Sequence, residues 1–193
     1  IEKGHKVTVI GPSPHHYYSG MGPGMLGKIY TPEEIRFATK EVVEKQGGVF
    51  MQDRVNRIDP ESKTVYLESE QKIPYDVLSC NVGSHVPMTI VSGTDRDVFP
   101  VKPIEQLTRV QERILELTSQ QEISIGIIGG GPSAAEIAGN IWRLGKYYGE
   151  NMPEITIFSG EKFMACFTKN VRNRIFRSLT KRGIEILEQD FVR

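Results

Sequence analysis

Residues 129–134 read Gly-Gly-Gly-Pro-Ser-Ala. They follow a short apolar run at 123–128 (ISIGII) and open a stretch of helical periodicity that continues through Leu144. An apolar run of this length, bounded by turn residues, reads as a buried strand. Gly129, Gly131 and Ala134 therefore occupy a GxGxxA spacing between a strand and a helix, and each position has a physical reason. Gly129 permits the tight turn out of the strand. Gly131 has no Cβ, so a pyrophosphate can approach the backbone. Ala134 is small enough for the helix to pack closely on the strand. Pro132 and Ser133 open a helix whose first amides and positive dipole end would face the phosphates. A strand–helix turn with a purely structural purpose would show the same spacing.

The order after this turn extends the constraint. A strand is expected at 155–158. A helix striped by Val171, Ile175 and Leu179 stops at Gly183, and a further strand follows at 184–187. Alternation of strand and helix predicts a parallel, doubly wound sheet. Lys181 and Arg182 sit favourably at the negative end of the second helix. Arg174, Arg177 and Lys181 read as its solvated face. In dinucleotide-binding sheets the end of the second strand carries an acidic residue for the ribose hydroxyls. Here that place holds Ser159 and Gly160, with Glu161 and Lys162 just beyond. Glu161 suits a ribose and Lys162 a 2′-phosphate, so the choice between NAD and NADP stays open.

The first half of the chain alternates differently. A strand is expected at 6–10 (KVTVI), then a long glycine-rich, aromatic loop at 11–30. A structureless loop of that length is uncommon inside a compact domain and is usually functional or disordered. Thr31-Pro32-Glu33-Glu34 has the form of a capping box with proline at the first helical position. It predicts a helix through Ile35, Ala38 and Val42 that ends at Gly47-Gly48. Period-two patterning then predicts strands at 49–58, 64–68 and 73–80, with a turn at Asp59-Pro60-Glu61-Ser62. Ile104, Leu107, Val110, Ile114 and Leu117 mark an amphipathic helix. The frayed helix end at residues 1–5 and the strand-like stop at 191–193 lead us to expect a fragment of a larger protein.

Composition narrows the function classes. The 193 residues carry 24 basic and 24 acidic side chains, and this balance argues against a nucleic-acid partner. No apolar run approaches the roughly 20 residues needed to span a bilayer. Two cysteines, Cys80 and Cys166, form no CxxC pair and cannot supply four metal ligands. Sparse cysteine fits a reducing compartment, so a cytoplasmic location is expected, with a peripheral seat on the inner face of a membrane left open. The adjacent His15 and His16 lack a third ligand, so no metal is expected. Cys80 reads as packing within an apolar strand, and Cys166 also reads as structural. Trp142 reads as core or interface.

Taken in order, these segments resemble the pyridine nucleotide–disulfide oxidoreductase superfamily, flavoproteins with two dinucleotide domains. Val7-Thr8-Val9-Ile10 resembles the second strand of the FAD domain. Residues 75–84 (YDVLSCNVGS) resemble the segment that runs back under the flavin nucleotide. Residues 129–136 (GGGPSAAE) resemble the NAD(P)H fingerprint and its following glutamate. Within the superfamily the chain is most similar to type II NADH dehydrogenases, and to the branch associated with selenide water dikinase. Residues 18–21 (YSGM) and 99–104 (FPVKPI) carry that last likeness.

The resemblance implies an α/β fold of two Rossmann-like halves, both incomplete, with a small β-hairpin excursion in the first. The halves would be a partial FAD-binding domain at 1–103, lacking its first strand and glycine motif, and a partial NAD(P)H-binding domain at 104–193. It implies FAD and NAD(P)H as cofactors. Hydride would pass from nicotinamide to flavin, then electrons to a quinone or another small-molecule acceptor. The cofactors carry the chemistry, so no catalytic side chain is expected. By the same resemblance Val55 would meet the adenine through its backbone, and Asn81, Val82 and Gly83 would pass close to the FAD. Glu136 would lie near the nicotinamide, and residues 18–24 near the isoalloxazine. The family usually shows Ala-Thr-Gly where this chain has Asn81-Val82-Gly83, and an acidic residue where it has Gly11-Pro12. A homodimer of the full-length protein is compatible with the resemblance, and membrane association is undecided by it.

Thiol chemistry is not expected. The disulfide reductases place CxxxxC where this chain has Ser19-Gly20-Met21-Gly22-Pro23-Gly24, and Gln120-Gln121-Glu122 stands where others place CxxC. Two readings of function remain beside the flavoenzyme: a non-catalytic NAD(H)-binding regulatory module, and a plain NAD dehydrogenase, for which no catalytic set is visible.

Overall fold

The computed structural model describes residues 4–86 and 97–189. The expectations for residues 1–3 and 191–193 lie outside the described residues. The chain divides into two compact units, residues 1–18 with 36–83, and residues 19–35 with 84–193.

The first unit pairs β1 (Thr8–Gly11) in parallel with β4 (Val49–Gln52), joined through α2 (Thr39–Lys45). Two short strands, β2 (His16–Tyr17) and β3 (Arg36–Phe37), pair antiparallel, and Tyr18 meets Phe37 edge-on at 6.2 Å. The helix expected from Thr31 therefore begins eight residues later. The capping-box bonds do form: the Thr31 amide donates to Glu34 Oε2 at 2.7 Å, and the Glu34 amide to Thr31 Oγ1 at 3.3 Å. They close a turn instead of opening a helix, because the chain next extends to pair with β2.

The period-two region resolves into a meander of β5 (Val55–Asp59), β6 (Thr64–Leu67) and β7 (Lys72–Pro74). One expected strand at 49–58 is thus two, broken at Asp53-Arg54, with a register shift between Val55 and Arg57. The turn at Asp59 is as expected, with Oδ1 accepting the Glu61 and Ser62 amides, both at 3.1 Å. Those amides and the Ser62 side chain hold the Asp59 carboxyl below its ordinary range. Val65 and Leu67 point inward. Tyr66, on the other face, lies between Arg57 at 3.9 Å and Lys72 at 5.5 Å from its ring, the residues opposite it on both neighbouring strands. The third strand stops at Pro74, short of the expected 80. Cys80 is consequently exposed, not packed in a strand.

The second unit contains the expected alternation of strand and helix in a parallel sheet, its three described strands running in one direction of winding. β8 (Ser124–Ile128), β9 (Glu154–Ser159) and β10 (Glu185–Glu188) form a parallel sheet with β9 central. α4 (Pro132–Tyr148) lies on β8 and β9, and α5 (Lys169–Thr180) lies on β10. α1 (Gly22–Leu26) and α3 (Gln106–Gln120) pack against α4. The core sits between these helices and the sheet: Leu26, Leu107, Ala138, Leu144 and Ile157 are all completely buried.

The glycine-rich segment expected to be a loop is therefore partly folded, with a 3-10 turn at Ser19–Met21 leading into α1. A Cβ on Gly22 would lie 2.0 Å from Ile104 Cγ1, so glycine is what lets the short helix approach. Gln111 Nε2 donates to the Met25 and Leu26 carbonyls, and Arg143 Nε to that of Gly27. These bonds satisfy carbonyls that a helix end leaves without partners. Trp142 is half-buried, between the Lys146 ammonium at 4.7 Å and the Arg182 guanidinium at 5.1 Å, so it ties α4 to the end of α5 rather than filling the core. Among the described residues no helix is long and apolar enough to cross a membrane.

Candidate functional site

The turn between β8 and α4 is built by backbone geometry that glycine supplies. Gly129 has φ of 134°, a region closed to residues with a Cβ, and its amide donates to the Phe158 carbonyl at 2.9 Å. This bond continues the β8–β9 ladder one step past the strand before the chain lifts off. Gly131 is the N-cap of α4, with φ −93° and ψ −176°. No side chain caps the helix, and a Cβ built on Gly131 would meet nothing within 4 Å. The positive end of a 17-residue helix thus opens onto free space, the arrangement that accepts an anion. Pro132 and Ser133 are exposed at this opening, and Ala134 is buried against the sheet.

Gly130, which the spacing argument passed over, has a separate task. A Cβ there would lie 2.0 Å from Ser159 Oγ and 3.1 Å from Ser159 Cβ. Its carbonyl accepts the Met164 amide at 2.6 Å. The glycine turn is therefore seated directly on the turn that follows β9. Ser159 is 1% exposed, and its hydroxyl donates to the Glu161 carbonyl at 2.6 Å. Its side chain is consumed in shaping that turn and does not face solvent. Glu161 and Lys162 are exposed beyond it.

A cleft of about 200 Å³ lies beside the N-terminal end of α4. Ser133, Glu136 and Ile137 line it from the helix, and Ser19, Pro23 and Lys102 from the facing segments. Glu136 is exposed on the second turn of α4, with one carboxylate and one ammonium, that of Lys102, bordering an otherwise mixed surface. The Lys102–Pro103 peptide bond is cis.

The second unit thus collects Gly129, Gly131, Pro132, Ser133, Ala134, Glu136, Ser159 and Glu161. The remaining candidates belong to the first unit. Val55 opens β5 and pairs with Leu67, and Asn81, Val82 and Gly83 are exposed after β7, Gly83 with φ of 70°. Cys166 is exposed. The sequence reading missed Gly130, Phe163, Met164, Arg172 and Glu188, which together shape the turn after β9. Only Gly130 left a visible signal, as the middle of three glycines where the fingerprint asks for two.

Comparison with known proteins follows the same outline. A demethylphylloquinone reductase of Synechocystis is 26% identical over 150 residues, 75% of this chain and 36% of that protein. An external alternative NAD(P)H-ubiquinone oxidoreductase of Arabidopsis thaliana mitochondria is 23% identical, over 94% of this chain and 37% of that protein. The chain therefore spans little more than a third of the length of the curated relatives it matches. Among solved structures, NDH2 of Plasmodium falciparum in complex with NADH matches with a TM-score of 0.79 at 18% identity, over 96% of this chain and 43% of that one. The sulfide:quinone oxidoreductase of Aquifex aeolicus matches with a TM-score of 0.78 at 20% identity, over 95% and 45%. These structural likenesses show the fold. The family model for pyridine nucleotide-disulphide oxidoreductases matches residues 1–193. With the whole chain inside that match and a glycine turn of the required form at its centre, this protein belongs to the pyridine nucleotide-disulphide oxidoreductase family.

Proposed function

We propose that the chain is the nucleotide-binding part of a flavin-dependent NAD(P)H oxidoreductase that works without a redox-active disulfide. The observation that carries this reading is the uncapped start of α4 behind Gly131, where a Cβ would meet nothing within 4 Å. That opening fits a dinucleotide pyrophosphate: helix-start amides and the dipole supply the attraction, and the missing Cβ supplies the room.

Gly129, Gly131, Pro132, Ser133 and Ala134 would hold the pyrophosphate, and the turn carrying Glu161 would meet the adenosine ribose. Glu136 and Lys102 border the cleft beside the helix, where a polar ring substituent would find one acceptor and one donor. In the first unit, Val55 and the exposed backbone of Asn81, Val82 and Gly83 would hold part of an FAD. Gly83 has open space around its missing Cβ, which suits close approach of a nucleotide. With both groups bound, the chemistry is transfer of a hydride equivalent from nicotinamide to flavin and onward to an acceptor, supplied wholly by the cofactors. The chain's own part is to bind and orient them. The curated relatives are named as a quinone reductase and a ubiquinone oxidoreductase, which favours a quinone as acceptor. A peripheral seat on a membrane would follow from such a substrate, and a homodimer is the assembly we expect.

Calorimetric titration with NADH tests the core of the reading. Saturable 1:1 binding that is weakened more than tenfold in Gly131→Val is the expected result; affinity unchanged by the substitution would remove it. In the full-length protein, NADH should bleach a bound flavin without added thiol. Binding with no flavin reduction would instead favour a regulatory module.

A further inference from the structure

The turn after β9 is held more firmly than a connection between strand and helix requires. Phe163, completely buried, is gripped at both of its main-chain ends. Its amide donates to Glu188 Oε1 at 2.7 Å, and its carbonyl accepts from Arg172 Nε at 2.7 Å. Arg172 closes the ring by donating from Nη2 to the same Glu188 oxygen at 2.5 Å. The two side chains come from different elements, Arg172 from the first turn of α5 and Glu188 from the last residue of β10. The next residue, Met164, is buried with φ of 55° and donates its amide to Gly130. Ser159 fixes the other side of the turn through the Glu161 carbonyl.

We propose that Arg172 and Glu188 are positioning residues for the dinucleotide, setting its affinity and its preference for the unphosphorylated ribose of NADH over that of NADPH. This rests on the reading of residues 129–134 as the pyrophosphate site. The ring of bonds on Phe163 fixes the segment that carries Glu161 and Lys162, and the Met164–Gly130 bond fixes that segment against the phosphate-facing turn. A ribose hydroxyl can be read only if the reading group stands at a set distance from the pyrophosphate. The charges decide the preference. Glu161 is exposed, and its carboxylate has no partner among the described residues. Such a group accepts a bond from a 2′-hydroxyl and repels a 2′-phosphate. Lys162, the group that would favour the phosphate, is exposed beside Glu161 and lies outside the ring of bonds on Phe163.

The test is calorimetric binding of NADH and of NADPH to the wild-type protein, Arg172→Lys and Glu188→Gln, with thermal unfolding run on the same samples. Wild type should bind NADH at least tenfold more tightly than NADPH. Arg172→Lys keeps the charge but loses the two-pronged grip, and its NADH affinity should fall about tenfold. Glu188→Gln keeps an acceptor for the Phe163 amide but loses the ion pair with Arg172, so the segment carrying Glu161 is held less firmly and the NADH:NADPH affinity ratio should shrink about tenfold. A merely structural pair would lower the unfolding midpoint and leave affinities and ratio alone; that result, or an NADPH-preferring wild type, overturns the proposal. Gly131→Val separates the two levels of argument. If it alone weakens NADH binding while the Arg172 and Glu188 variants bind as wild type, the site stands and the positioning role falls. If wild type binds neither nucleotide, both fall.

Discussion

Replacing Gly130 by alanine puts a Cβ 2.0 Å from Ser159 Oγ, 3.1 Å from Ser159 Cβ and 3.7 Å from Phe163 Cα. The backbone of Gly130 is outside the left-handed region, so the cost is steric and not conformational. The Ser159 hydroxyl cannot rotate away freely, because it is buried and donates to the Glu161 carbonyl. Overpacking of this kind costs about 1–3 kcal/mol. With a urea slope of about 1–3 kcal/mol/M, that is a midpoint lowered by roughly 1 M. Trp142, the single tryptophan, sits on α4 and reports unfolding of this unit by its fluorescence. Ser159→Ala alone should cost about 1 kcal/mol, the worth of its hydrogen bond. The double variant removes the 2.0 Å clash and keeps only the tighter-than-usual 3.1 Å contact. Its cost should therefore fall short of the sum of the singles by about 1 kcal/mol or more. Strict additivity in this double-mutant cycle would refute the claim that the glycine turn is seated on Ser159.

The neighbouring glycine should behave oppositely: Gly131→Val, with open space around its Cβ, should cost less than about 1 kcal/mol of stability while lowering NADH affinity more than tenfold, and equal affinity would count against the phosphate site. Ile157→Ala on the fully buried central strand should cost about 3–4 kcal/mol, against under about 1 kcal/mol for Ile128→Ala, which is 56% exposed; matched urea midpoints for the two would contradict the placement of the core. Burial raises the Glu188 carboxyl, but bonds from Arg172 and Phe163, with the charge of Lys162, outweigh it and leave the group below its ordinary range. A depressed carboxylate contributes stability above the ordinary range and loses it as pH falls through the folded value, so the gap in unfolding midpoint between wild type and Glu188→Gln should be open near about pH 7 and close toward about pH 3. A gap that does not change with pH would show that the Arg172–Glu188 charge pairing contributes nothing.

What the sequence disclosed depended on how local the determining force was. The parallel sheet at β8, β9 and β10 was legible because each element buries one stripe, and alternation of periods two and 3.6 leaves few other topologies. Gly129 and Gly131 were legible because their constraints act within the turn itself. The helix expected from Thr31 was displaced by a force from elsewhere. Its capping bonds exist, but pairing of Arg36–Phe37 with His16–Tyr17 takes the following residues into a strand. Residues 75–80 alternate plausibly, yet among the described residues no partner strand receives them beyond Pro74, and Val77 is left 89% exposed. Pattern reports which conformation a segment tolerates; pairing decides which it adopts.

The turn after β9 shows the same divide at the site. Ser159 occupies the position where a ribose-binding acid is usual, so the sequence invites its side chain to be counted among the ligands. Its burial and its bond to Glu161 show a different economy of function, in which one residue shapes the turn and the next presents the charge. Arg172 and Glu188, 16 residues apart, carry no local motif, because their meeting is arranged by α5 and β10 and not by spacing along the chain. A fingerprint records groups that touch the nucleotide through backbone geometry. Groups that hold the touching groups in place need only reach them in space, so many sequences satisfy the requirement and none of them forms a pattern. Specificity between NADH and NADPH would then depend on residues that a motif search leaves unmarked, and substitutions at Arg172 or Glu188 would alter it without changing a single letter of residues 129–134.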